Sequence, residues 1–334
     1  MDNKIRWGVI STANIGAGQV IPAIQQSSNG VVTAVASRDL DKATAFAARL
    51  NIPKAYGSYE ALIADPEIDA IYNPLPNGLH GEWSIRCAEG GKPVLCEKPL
   101  ANDAAEAQTM VDAFKERNLL LAEAFMYRFH PQTAKVKELV DGGAVGKIQI
   151  MQASFTFSIS RENNVRLSKE LVGGALMDVG CYCVSAARYM IGEEPSEVQA
   201  LAGVGERSGV DEKLVGLLRF PGGALAHFDC GLRTHFAQTY EIRGSHGRIL
   251  VEKAFVPFRP NPADDVVIRW WKSEPGIEKH QYEEIKVEKP NPYTLMVEDF
   301  ADALLNHRAP RFPIEDSIAQ MRAIDMLYSA AEMR

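Results

Sequence analysis

The sequence predicts two consecutive domains: a doubly wound parallel α/β domain over residues 1–126, then an α+β domain over residues 127–334 on a largely antiparallel open sheet. Three observations carry that prediction. From Ile5 to about Ala124, short β-branched or apolar runs alternate with amphipathic helical patterns, an order that requires crossovers and so a parallel sheet covered on both faces. Beyond Gly146 the alternation gives way to successive strand-like runs with little helix between them, which favours antiparallel pairing. Finally, 334 residues exceed one ordinary core.

The first-domain strands are expected at Ile5–Ile10, Val31–Ser37, Asp69–Tyr72, Val94–Cys96 and Leu119–Ala122, because each is a compact apolar run of strand length. Helical periodicity separates them over Asn14–Gln26, Asp41–Leu50, Leu79–Ala88 and Ala104–Arg117. Pro131 then suits a first helical position, Val136 and Val140 lie one turn apart, and Asp141-Gly142-Gly143 stops that helix. The second-domain strands follow at Lys147–Phe157, Val198–Val204, Lys213–Phe220, Ala224–Cys230, Thr239–Ile242, Arg248–Val251, Val266–Trp271 and Tyr282–Val287. Turn signals such as Pro221-Gly222-Gly223 and Gly244-Ser245-His246-Gly247 join them. One helix, Ala175–Ile191, interrupts the series and ends at Gly192. Helices at Pro292–Asn306 and Ile314–Met333 complete the pattern. A crevice between the two domains is the expected ligand site.

Composition narrows the function classes. Apolar residues make up 46% and charged residues 24%, without low-complexity tracts, which is a globular balance. A formal charge of −7 argues against nonspecific nucleic-acid or membrane-surface binding. The start, Met1-Asp2-Asn3-Lys4, leads into no apolar signal region, and no apolar run reaches membrane-spanning length, so a cytoplasmic protein is expected. The five cysteines, Cys87, Cys96, Cys181, Cys183 and Cys230, have no paired C-x-x-C spacing. They read as reduced packing thiols, and no metal site is expected.

The chemistry begins after the first strand. In Gly8-Val9-Ile10-Ser11-Thr12-Ala13-Asn14-Ile15-Gly16, a tight strand-to-helix turn can aim backbone amides at a pyrophosphate. Against the G-x-G-x-x-G fingerprint of dinucleotide-binding Rossmann folds, Ser11 and Ala13 replace two glycines and Gly16 keeps the third, so Ser11, Thr12, Ala13, Asn14 and Ile15 form a degenerate version. About twenty residues on, where an NAD-selective fold places an acid on the ribose, stand Ser37-Arg38. A hydroxyl and a guanidinium suit a 2′-phosphate, with Lys42 a third donor, so NADP is favoured. The alternative leaves Arg38 solvated or stacked on adenine, gives the ribose to Asp39, and makes NAD the cofactor.

Lys98 ends the run Val94-Leu95-Cys96-Glu97-Lys98-Pro99, and Asp178 and Tyr182 lie one helical turn apart after Gly173-Gly174. An ammonium beside a phenol favours the phenolate and brings its proton affinity toward working pH, which is equipment for proton transfer. Joined to a dinucleotide site, it points to hydride transfer with tyrosine handling the proton.

The degenerate loop, Glu97-Lys98-Pro99 and Gly173-Gly174-Ala175-Leu176-Met177-Asp178-Val179-Gly180-Cys181-Tyr182 together resemble the Gfo/Idh/MocA oxidoreductases over nearly the whole chain. The resemblance implies a Rossmann domain followed by an open-sheet domain, with Lys98 near the reacting oxygen, Tyr182 exchanging its proton and Asp178 on substrate hydroxyls. It implies a cofactor-side loop at Pro74-Leu75-Pro76-Asn77 with His80, so Leu75, Asn77, His80, Glu97 and Lys98 join the cofactor set. His80 has the alternative of packing its own helix. Tyr127 and Arg128 resemble cleft-lining residues of sugar-oxidising relatives; Arg166 is a further candidate for substrate contact, with a solvated loop arginine as the alternative, and Tyr293 is a weaker candidate.

What the resemblance implies is an NADP-dependent dehydrogenase of a sugar or polyol, such as an aldopyranose 1-dehydrogenase of xylose or glucose type. Keto-sugar reduction and trans-dihydrodiol oxidation are the alternatives within enzymes, and a dinucleotide-binding sensor is the alternative outside them. Lys98, Asp178 and Tyr182 are all retained, which argues against the sensor. Relatives of this kind pair through the outer face of the second sheet, so a homo-oligomer, dimer or tetramer, is expected.

Overall fold

A computed structural model describes residues 4–257, 265–272 and 281–333. The chain divides into two compact units: Met1–Met126 with Asn291–Met321, and Tyr127–Pro290 with Arg322–Arg334.

In the first unit, strands β1 (Ile5–Ile10), β2 (Gly30–Ala36), β3 (Lys54–Tyr56), β4 (Ala70–Asn73), β5 (Val94–Cys96) and β6 (Leu121–Glu123) form one sheet in the order β3-β2-β1-β4-β5-β6. Every pairing is parallel. Strand β4 is buried at each of its positions and β1 at nearly all, as expected when crossover helices cover both faces. Those helices are α1 (Ile21–Gln26), α2 (Leu40–Leu50), α3 (Tyr59–Ile63), α4 (His80–Glu89) and α5 (Ala104–Glu116). Side chains of Asp39, Ser58 and Asp103 accept first-turn amides of α2, α3 and α5, each such cap being worth about 1 kcal/mol.

Two short elements, β3 and α3, lie where no periodic pattern is readable, since three and five residues are too few to show one. The helix expected over Asn14–Gln26 opens with a π turn, Gly16–Val20, in which the Ile21 amide reaches back to the Gly16 carbonyl. Pro22, which follows it, has no amide to donate into the next turn.

The second unit begins with α6 (Pro131–Asp141). Its eight-stranded sheet contains β7 (Ile148–Ser158), β8 (Glu197–Val204), β9 (Asp211–Arg219), β10 (Leu225–Gly231), β11 (Arg233–Gly244), β12 (Gly247–Val251), β13 (Val266–Lys272) and β14 (Gln281–Val287), ordered β14-β13-β12-β11-β7-β10-β9-β8. All neighbours run antiparallel except β7 and β10. Buried and exposed residues alternate along β9 and β10, so one face is covered and the other is open. Helix α7 (Cys181–Ile191), preceded by a π turn at Leu176–Gly180, packs on β7 and β10 and stops at Gly192 in a left-handed conformation.

Two last helices are α8 (Pro292–Leu305) and α9 (Glu315–Ala330). Helix α8 packs on α1, where Phe300 meets Trp7 at a centroid distance of 5.1 Å. The parallel Rossmann-like sheet and the mixed, mostly antiparallel sheet are the expected fold class. All five cysteines are buried and none is in a disulfide, and among the described residues no helix is long and apolar enough to cross a membrane.

Candidate active site

In the first unit the chain reverses its course across the sheet between β1 and β4. Open α/β sheets bind ligands outside the carboxyl ends of their strands at such a point. Ser11–Asn14 follow β1, Pro74–Asn77 follow β4, Ser37-Arg38 follow β2 and Glu97-Lys98 follow β5. Parallel pairing therefore brings all four segments to one edge.

The β1 turn is shaped by Ser11, whose φ of 77° lies in the left-handed region that favours glycine. Its amide donates to the Ala36 carbonyl at 2.9 Å and its Oγ accepts the Ala13 amide at 3.3 Å. These bonds hold the turn that glycine would make in the standard fingerprint. The helix that follows begins at Asn14, with Ala13 at its cap position, and the first amides of a helix have no intrahelical acceptor. That end of the helix suits an anion.

At the β2 edge, Ser37 is buried and Arg38 exposed. Burial pushes the Tyr59 phenol up, and the Arg38 guanidinium hydrogen-bonded to it pulls it back. Asp39, the rival ribose ligand, is committed elsewhere. Its Oδ1 accepts the Lys42 amide at 3.1 Å and its Oδ2 pairs with Lys42 Nζ at 3.6 Å. The bond from the Lys42 amide holds its carboxyl below the usual range.

The β4 and β5 edges are fastened together by His80. Its ring is wholly buried, with Nδ1 2.9 Å from the Pro99 carbonyl and Nε2 2.7 Å from the Leu75 carbonyl. Burial pushes its pKa down to about 4 against the pull of both carbonyls, and the Lys98 ammonium adds to the push. Both ring nitrogens face backbone carbonyls, and the neutral ring, with one N–H, donates to one of them, the packing role that the sequence left as the alternative. Glu97 is similarly turned inward. Its Oε1 accepts the buried Tyr72 hydroxyl at 2.7 Å and its Oε2 the Lys98 amide at 3.3 Å. Lys98 itself is half-buried.

In the second unit the Gly173-Gly174 pair has a steric cause. A Cβ on Gly173 would stand 2.3 Å from the Arg166 carbonyl oxygen, and one on Gly174, whose φ is 121°, would stand 2.1 Å from Asp211 Oδ1. The Gly174 amide donates to the Arg166 carbonyl at 2.9 Å. That backbone contact brings the Arg166 side chain to Asp178, with Nε donating to Oδ2 at 2.7 Å. The guanidinium also lies 6.0 Å from the Phe157 ring. Four residues after Asp178, the Tyr182 ring sits among Phe155, Tyr127 and Phe255 at centroid distances of 5.3, 5.7 and 5.5 Å.

Two of the expected substrate contacts, Tyr127 and Arg128, are buried beside Tyr182 and Tyr189. Tyr127 is fully enclosed, its hydroxyl 2.8 Å from Ser185 Oγ. Arg128 is buried with its guanidinium 5.3 Å from the Tyr189 ring. The tight turn Met126–Phe129 directs these side chains inward, and Tyr127 becomes a wall for Tyr182. Sequence reasoning missed Phe155, Phe157 and Asp211. A lone aspartate at the start of a strand carries no motif, and the only hint of Asp211 was a glycine pair that needed a close neighbour.

The fold and these residues define an oxidoreductase built on a dinucleotide-binding domain. Residues 5–125 match the family model described as "Oxidoreductase family, NAD-binding Rossmann fold", and residues 133–250 match the "GFO/IDH/MocA C-terminal domain". The D-xylose 1-dehydrogenase (NADP(+)) 2 of Haloferax volcanii is 38% identical over 98% of this chain and 97% of its own. A dTDP-3,4-didehydro-2,6-dideoxy-alpha-D-glucose 3-reductase of Actinomadura kijaniata is 34% identical, covering 98% and 96%. The crystal structure of a 3-ketoreductase from Actinomadura kijaniata, in complex with NADP and TDP-benzene, superposes with a TM-score of 0.91 at 32% identity over 98% of both chains. The chain belongs to the Gfo/Idh/MocA family of oxidoreductases.

Proposed function

We propose that the protein is an NADP-dependent oxidoreductase of sugars, oxidising an aldopyranose of the xylose or glucose type at its anomeric carbon. The observation that carries this reading is the gathering of Ser11–Asn14, Ser37-Arg38 and Glu97-Lys98 at one sheet edge, in a chain 38% identical to an NADP-dependent xylose dehydrogenase. The residues fit the cofactor. The helix that begins at Asn14 suits the pyrophosphate. Ser37 and Arg38 suit a 2′-phosphate, while Asp39 is spent on capping α2. When bound, the nicotinamide accepts or supplies the hydride.

The protein's own residues handle the rest. Tyr182 takes the proton from the hydroxyl undergoing oxidation and returns it in the reverse direction. Lys98 stabilises the developing oxyanion. Asp178, held on one side by Arg166, accepts sugar hydroxyls and fixes the ring. The aromatic wall of Phe155, Tyr127 and Phe255 restricts the tilt of Tyr182.

Residues 1–126 are the cofactor domain in this reading, and the mixed-sheet unit supplies substrate binding and assembly. On the open face of that sheet, Leu201, Val215, Leu217, Leu225 and Ile150 are exposed on neighbouring strands, an apolar surface suited to a second copy of the chain. Light scattering tests it, and a monodisperse monomer at micromolar concentration removes it. Five buried thiols suit the reducing cytoplasm.

The central test is turnover of D-xylose, D-glucose, a dTDP-linked keto-sugar and a trans-dihydrodiol with each cofactor. Aldose oxidation is expected to lead, with NADP⁺ preferred; preferred turnover of the keto-sugar or the diol would replace the substrate, and turnover of none would end the sugar reading. Tyr182→Phe should retain NADP binding and lose about a hundredfold or more in kcat.

A further inference from the structure

We propose that Asp211 and Tyr328 form a positioning pair that aims Asp178 and Tyr182, a role that rests on the function proposed above for those two residues. Asp211 opens β9 and is almost wholly enclosed. Its Oδ2 accepts the Leu176 amide at 2.7 Å, at the start of the π turn that carries Asp178 and runs into α7 with Tyr182. Its Oδ1 accepts the Tyr328 hydroxyl, on α9, at 3.0 Å.

The local sequence explains why such a clamp is needed. The helix is entered through Gly173-Gly174, and a glycine pair leaves the backbone the widest choice of entry angle. No side chain of the helix's own N-cap residue closes it. Asp211 fills that role from another strand, and a carboxylate at a helix N-terminus is favoured both by the exposed amides and by the helix dipole. Gly174 is shaped to this carboxylate, since any Cβ there would collide with Oδ1. The Gly174 amide also holds the Arg166 carbonyl, so one carboxylate registers the turn bearing Arg166, the turn bearing Asp178 and the helix bearing Tyr182. A second bond, from Tyr328, fixes the orientation of the carboxyl plane. Neither residue touches the reacting atoms; both act through the backbone of the Leu176–Gly180 turn.

The experiment compares Asp211→Ala, Asp211→Asn and Tyr328→Phe in the full-length enzyme, measuring kcat, KM and NADP binding separately. Asp211→Ala should lower kcat by about a hundredfold, the scale of a misplacement of about 1 Å, while NADP affinity stays within about twofold because the cofactor residues lie in the other unit. Asp211→Asn should recover kcat to within about threefold, since its carboxamide oxygen still accepts the Leu176 amide and its NH₂ can donate to the tyrosine oxygen. Tyr328→Phe should lower kcat about threefold, removing one of the two bonds.

Unchanged kcat in Asp211→Ala would overturn the proposal, as would an Asn variant no better than the Ala variant. If Asp211→Ala does not fold, Tyr328→Phe decides, and wild-type kcat there sinks the pair. Tyr182→Phe is run alongside: if it retains full turnover, the reading of the site itself fails, whereas a dead Tyr182→Phe with a fully active Asp211→Ala removes the positioning role alone.

Discussion

Each unit contains a helix entered through a π turn, and the two entrances differ in one respect. In the first, the turn Gly16–Val20 follows the helical residues Asn14 and Ile15, and the cap position is Ala13, whose side chain has no acceptor. In the second, the turn Leu176–Gly180 follows Gly173-Gly174 and the buried carboxylate of Asp211 occupies its first amide. A helix start is an anion site by default. The protein supplies its own anion at the second start, and at the first the proposed function puts the nucleotide phosphate.

The sharpest way to break this contrast is to give the first entrance a carboxylate of its own. Ala13→Asp should compete for the same amides and repel pyrophosphate, weakening NADP by about 4 kcal/mol, or about a thousandfold; an unchanged dissociation constant by calorimetry would refute the assignment of that helix start.

The next effect is on acid stability, where the two units carry opposite signs. His80 has its pKa pushed down to about 4, so its contribution is complete above about pH 6.5 and is lost as pH falls through about 4, about 3 kcal/mol in all. Asp211 has its pKa raised to about 6 by burial, so its contribution is present below about pH 3.8 and is lost as pH rises through about 6, again about 3 kcal/mol. Between about pH 4 and 6 the two oppose each other. Asp211→Asn removes one side, and urea midpoints should then fall more steeply on acidification than in the wild type. Parallel curves for the two proteins would contradict this.

Arg38→Ala should weaken NADP by about 2 kcal/mol, or about thirtyfold, and NAD by less than about threefold. Equal losses for both cofactors would show that Arg38 does not read the 2′-phosphate. The smallest effects concern the turns themselves. A Cβ on Gly180 would stand 2.8 Å from Cys230 Sγ, whereas one on Gly18 would meet nothing within 4 Å. Gly180→Ala should therefore cost about 1–2 kcal/mol, and Gly18→Ala should stabilise by about 0.5 kcal/mol. Thermal melts of the two variants should move in opposite directions.

Much of this was legible in the sequence because it is local. The β-branched runs from Ile5 to Cys96 and the punctuation by Pro131 and Gly192 mark elements that the structure has within a residue or two. Ser37-Arg38, Lys98, Asp178 and Tyr182 stood out because spacing along one chain places them at strand ends or on one helix. What stayed hidden depends on distant neighbours. No pattern announces that a tight turn buries Tyr127 and Arg128 against Ser185 and Tyr189. Nor does any pattern show that the Leu75 and Pro99 carbonyls lie on both sides of the His80 ring. Asp211 has its partners 35 and 117 residues away, beyond any periodicity.

The single parallel pairing in the second sheet, β7 with β10, also sets an order of assembly. Hairpins can zip from a local turn, but these two central strands meet only after everything between Ser158 and Leu225 has been looped out, including α7. Closing so large a loop is entropically slow. The hairpins β8–β9, β9–β10 and β11–β12 can therefore form early, while β7, whose neighbours β10 and β11 are both distant in sequence, and the helix laid on it arrive late and together. Hydrogen exchange during refolding should show protection at the amides of β12 before those of β7, and a newly made chain would set the helix that carries Tyr182 at the end of folding.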